Sequence, residues 1–80
     1  MDVGTKAARA QQILNDEVFK EALSVLKEDS IGVFLYPTAT DDEIMEARKA
    51  VLALSLVEQQ LQKFVNDWKL VERKLKGSAP

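Results

Sequence analysis

The chain contains neither cysteine nor histidine. That removes disulfide frameworks, thiol nucleophiles, zinc fingers, haem ligation and any Ser-His-Asp triad. Glycine and proline are scarce, at three and two residues, and 46% of the chain is hydrophobic against 30% charged. Such a balance is globular or coiled-coil in character and argues against disorder. Aromatics are few: three Phe, one Trp and one Tyr. No apolar run approaches the ~20 residues that span a bilayer. The opening Met1-Asp2-Val3-Gly4-Thr5 has no apolar signal-peptide core. The expectation is a soluble, intracellular, non-enzymatic chain with no cofactor and no membrane partner. Its 80 residues suffice for one small domain, whose own core supplies roughly 3–5 kcal/mol unless partners help.

The net charge of −2 is unevenly spread. Through residue 67 there are seven basic and twelve acidic side chains. After it, Lys69, Arg73, Lys74 and Lys76 stand against Glu72 alone. A basic carboxy-terminal end suits the negative pole of a helix, and it also suits phosphates or an acidic partner surface.

Three helices are legible. Thr5 to Leu14 is built of strong helix formers. Asn15-Asp16 then offers a cap, and Glu17 puts acid into the next first turn. Val18, Phe19, Ala22, Leu23, Val25 and Leu26 recur at helical spacing. That helix is expected to run through Gly32 to about Leu35, because Pro37 forces Tyr36 out of the α region. A rival strand over Ile31 to Tyr36 has no second strand to pair with. Thr40-Asp41-Asp42-Glu43 then matches a capping box. Neither Gly nor Pro follows until Gly77, which is expected to close the helix in a left-handed conformation. The fold class is therefore all-α: an antiparallel helical hairpin with a long, coiled-coil-like carboxy-terminal helix and a short extra helix ahead of it. The helices are expected at 5–14, 16–35 and 41–76 within one domain, 1–77, with 78–80 as a short tail. Asn66-Asp67 is the one point where the long helix is expected to fray or bend.

In that helix Ala50, Leu54, Val57, Leu61, Phe64, Trp68, Val71 and Leu75 alternate in steps of four and three. This is a coiled-coil seam. A preceding helix of about 30 Å reaches back only to about residue 61. Either residues 5–14 continue it and cover Phe64, Trp68, Val71 and Leu75, or another protein does. Leu52 and Leu56, with Val51, lie off the seam. A helix that is apolar on two sides needs two partners. The interface candidates are thus Leu52, Leu56, Phe64, Trp68, Val71 and Leu75, with Arg73 and Lys74 as charged flanks; a compact three-helix monomer is the competing arrangement.

Few constellations carry chemistry. Asp41, Asp42, Glu43 and Glu46 could in principle hold Mg²⁺ or exchange protons. Their place at a helix start is accounted for by capping, and no metal-binding or catalytic residues are assigned. Trp68 beside Lys69, with Arg73 and Lys74 following, combines residue types enriched in binding hot spots.

Three stretches carry a family likeness: 14–23 (Leu-Asn-Asp-Glu-Val-Phe-Lys-Glu-Ala-Leu), 38–43 (Thr-Ala-Thr-Asp-Asp-Glu) and 69–75 (Lys-Leu-Val-Glu-Arg-Lys-Leu). The pattern resembles short helical-hairpin accessory proteins of tailed bacteriophages. The resemblance implies a small structural or assembly protein in the virion or host cytoplasm. It would self-associate as a homo-oligomer or dock on a capsid, portal or tail protein. Two other functions stay open. One is a DNA-packaging accessory resembling a small terminase subunit, with nucleic acid at the basic end, although no helix-turn-helix is legible. The other is an inhibitor of a host protein.

Overall fold

The computed structural model describes residues 1–77, and the short tail expected at 78–80 lies outside them. Among the described residues the structure is helical: α1 (Val3–Asn15), α2 (Glu17–Val33) and α3 (Asp41–Gly77), with no strand. The rival strand over Ile31 to Tyr36 does not form.

Each helix start has a side-chain cap. Asp2 accepts from the Thr5 backbone N–H at 2.7 Å, so α1 begins two residues earlier than its formers suggest. The Thr5 hydroxyl adds a bond to the same carboxylate at 3.1 Å. The Thr5 backbone bond and then its hydroxyl bond hold the Asp2 carboxyl below its ordinary value of 3.8. Asp16 both ends α1, donating its N–H to Ile13, and caps α2, accepting from the Phe19 N–H at 2.8 Å. At Thr40 the hydroxyl accepts from the Glu43 N–H at 3.1 Å, and the Glu43 carboxylate reaches back to that hydroxyl at 3.3 Å. Three acids in the first turn of α3 meet the positive helix end.

The ends differ from expectation in two places. α2 stops at Val33 rather than Leu35, because the N–H groups of Phe34, Leu35 and Tyr36 bond three residues back and tighten the chain into a turn. Gly77 is the last helical residue of α3, and no described glycine takes a positive φ. α3 is helical without a break through Asn66-Asp67. Gln62 donates to the Asn66 side chain at 3.1 Å and Lys63 pairs with Asp67 at 3.7 Å, so both residues are tied one turn back.

The chain doubles back along α3. Asp29 and Val33 lie beside Glu46 and Ala47 near the turn. Lys27 pairs with Glu58 farther along. At the open end Lys6 sits over the Phe64 ring, 4.7 Å from its centroid, and Gly4 lies against Trp68. α1 therefore continues the line of α2 and covers the end of α3 that α2 cannot reach. The result is an elongated rod, 65 × 23 × 19 Å, with a radius of gyration of 17.8 Å. A compact chain of this length would have about 12 Å.

Packing places small residues where α1 meets α3. Ala7 and Ala10 are each 3% exposed, and Ala47 and Val65 complete the buried set. Gly4 belongs with them: a Cβ there would stand 3.3 Å from the Trp68 ring, tight enough to displace it. α2 contributes no buried residue.

Candidate interaction surface

The inner face of α3 differs from the expected seam. Ala47 and Val65 are buried, and Val51, Leu54, Glu58, Leu61, Trp68 and Glu72 are half-buried between them. These positions again advance by threes and fours, but only Leu54, Leu61 and Trp68 belong to the seam read from the sequence. Its other members lie to one side: Ala50, Val57, Val71 and Leu75 are exposed and Phe64 is half-buried. At about 100° per residue they sit roughly a quarter turn from the inner face. The physical reason is the cover. α1 and α2 bring a salt bridge and small residues to α3, so Glu58 and Glu72 are accepted inside and half of the apolar seam turns outward.

The rod thus has two unlike flanks. Along one run Gln11, Lys20, Ser24, Lys27, Glu58 and Lys69, with the Lys27–Glu58 pair at its middle. The other flank is apolar. Phe64 marks it on α3, and Lys6, lying over that ring, marks it on α1. Near the turn, Asp29 and Val33 of α2 line one groove together with Glu46 of α3. Asp29 follows Val25 by four residues and Ala22 by seven, so the exposed stripe of Val18, Ala22 and Val25 belongs to this flank. Glu46 precedes Ala50, Ala53 and Val57 at helical spacing, which places them there too.

The remaining candidates lie elsewhere. Leu52 is 53% exposed and Leu56 63%, and with Met45 they lie along the side of α3 turned away from α1 and α2, where Lys63 separates them from the exposed Leu70. Arg73 and Lys74 are exposed in the last turns. Trp68 is half-buried against Gly4, and Phe64 is half-buried beneath Lys6. The structure therefore divides the eight candidates among an outer stripe, an apolar flank and a basic end, and does not gather them into one site.

Sequence reading missed Val18, Ala22 and Val25 as surface residues. The signal was present: Phe19 and Leu23 form the inward stripe of α2, and Val18-Ala22-Val25 is a second stripe at the same spacing. Both had been merged into one apolar face.

The acid cluster at the start of α3 holds caps. Among the described residues no group of three or more carboxylates converges as metal ligands would, and no helix is long and apolar enough to cross a membrane.

The total accessible surface is 6332 Å². A compact monomer of 8.9 kDa exposes about 4,800 Å². The rod therefore presents roughly 1,000–1,500 Å² beyond what its mass requires. Against this geometry, no protein-family model, curated protein or solved structure matches the chain.

Proposed function

We propose that the chain is a non-enzymatic structural or assembly protein of a tailed bacteriophage, working as a coiled-coil-like antiparallel helical hairpin. It docks through helix–helix contacts on a capsid, portal or tail protein, or on further copies of itself. The observation that carries this reading is the outer stripe of Met45, Leu52 and Leu56, each more than half exposed on a helix whose opposite side is already occupied. A helix apolar on two sides calls for two partners. The phage setting is supported by the family likeness of residues 14–23, 38–43 and 69–75. Titration against purified capsid, portal and tail proteins, followed by light scattering, tests it. Binding to one of them, lost in Leu52→Glu/Leu56→Glu, is the expected result. A chain that engages none of them ends the reading.

A second reading has its own observation. Arg73 and Lys74 are exposed in the last turns of α3. A DNA-packaging accessory would use this end on phosphates. It predicts DNA affinity that falls steeply with salt and weakens in Arg73→Ala/Lys74→Ala.

A further inference from the structure

The apolar flank is separate from the outer stripe, and its pattern selects its own occupant. We infer that this flank is closed by the same flank of a second copy, turned end for end, to make an antiparallel four-helix bundle.

Charge carries the choice of partner. Near the turn the flank is acidic on balance, with Asp29 of α2 beside Asp42, Glu43 and Glu46 of α3 and Lys49 paired with Glu46. Toward the open end basic side chains outnumber acidic ones: Lys6 lies over Phe64, and Arg9 borders the neighbouring groove with Ile13 and Asp16. Between these ends most exposed side chains of the flank are apolar, with Val18, Ala22, Val25 and Leu26 on α2 and Ala53 and Val57 on α3, and Glu21 borders the α2 stripe. A two-fold axis through that middle, perpendicular to the rod, sets Lys6 and Arg9 of one copy opposite Asp29 of the other. It also sets Val18 against Val18, since residue 18 lies midway between Lys6 or Arg9 and Asp29. Parallel pairing would stack acid on acid and base on base, which costs specificity and affinity. In the antiparallel arrangement every neighbouring helix pair is antiparallel, the ordinary geometry of such bundles.

Area points the same way. A standard interface buries about 800 Å² per partner, within the roughly 1,000–1,500 Å² by which the rod exceeds a compact monomer. The half of the seam that faces away from α1 and α2 is also accounted for. In a four-helix bundle each helix directs its apolar stripe between two neighbours, and the Ala50–Val57–Phe64 row lies between α2 and the space the second copy fills. Leu52 and Leu56 stay outside the bundle, free for the phage component. The inference rests on the reading that the chain works by helix docking, but it concerns a different face.

Because the chain has no cysteine, single introduced cysteines give an unambiguous test on the full chain. Light scattering at tens of micromolar should give twice 8.9 kDa. Under mild oxidation Val18→Cys should trap a covalent dimer, and Ser24→Cys on the polar flank should not. Asp29→Lys should weaken the dimer severalfold, and Arg9→Glu in the same chain should restore it. Leu56→Glu should leave the dimer intact. A monomer mass overturns the inference, as does cross-linking through Ser24→Cys in place of Val18→Cys. A monomer that still binds a capsid, portal or tail protein overturns the second copy alone. A dimer that binds none of them upholds it while ending the phage reading.

Discussion

The two halves of the rod are joined to α3 by opposite means. Where α1 meets α3, the contact is made of small residues in close approach: Gly4, Ala7 and Ala10 against Val65 and Trp68. Where α2 meets α3, nothing in α2 is buried and the middle of the contact is the Lys27–Glu58 pair, both side chains about one-third exposed. The α1 joint resembles the interior of a finished protein. The α2 joint resembles half of one, with Val18, Ala22 and Val25 exposed along α2. A helix that belongs to a bundle of two has no use for a second apolar stripe, and α2 carries one.

This contrast can be broken most sharply at Ala10. Ala10→Asp puts a charge into a site that is 3% exposed and should cost about 3 kcal/mol or more. Its effect should fall on α1: Trp68 emission shifts to the red as α1 lifts off. Ser24→Asp on α2 should stay within about 0.5 kcal/mol of the parent. Chemical denaturation of both variants checks the pair. Next in size, Val65→Ala removes two methyl groups from a site 6% exposed and should cost about 2 kcal/mol.

The α2 joint should respond in the other direction. Replacing Lys27 and Glu58 together by Leu is expected to be neutral or stabilising by about 1 kcal/mol, whereas Glu58→Leu alone leaves the lysine unpaired and costs up to about 1 kcal/mol. A loss of several kcal/mol in the double variant would mean that the ion pair, and not apolar contact, holds α2 in place.

The smallest effect belongs to the Asp2 cap. The folded carboxyl sits below its ordinary 3.8, chiefly through the Thr5 backbone bond. A depressed folded value means that the cap contributes above the unfolded value, and the contribution is lost as pH falls through the folded one. Amide exchange at the start of α1 should therefore quicken in acid in the parent protein. In Asp2→Ala it should already be quick at neutral pH, with α2 and α3 unchanged.

The helices were legible because their signals are local. Asp16 and the Thr40–Glu43 box announce their own helix starts within three residues, and the two periodicities follow within a turn or two. Asp2 was overlooked because Val3 and Gly4 are poor helix formers, and the cap overrides them. The rotation of α3 was not legible. Leu54, Leu61 and Trp68 belong to two possible seams, and pattern alone prefers the one lined by Val57 and Phe64 over the one lined by Glu58 and Glu72. What decides is the covering surface: Lys27 for Glu58, and the small residues of α1 for Val65. That surface lies tens of residues away in the chain. The candidate interaction residues were legible as surplus apolar positions, but their sorting into an outer stripe, a flank and a basic end depends on that same rotation.

The central claim is that this rod is half of a core, and thermal unfolding followed at protein concentrations from about one to several hundred micromolar tests it most directly. If folding and pairing are linked, the midpoint must climb steadily as the solution is made more concentrated. A midpoint that stays fixed across that range, with one sharp transition, would mean that the single chain is complete in itself.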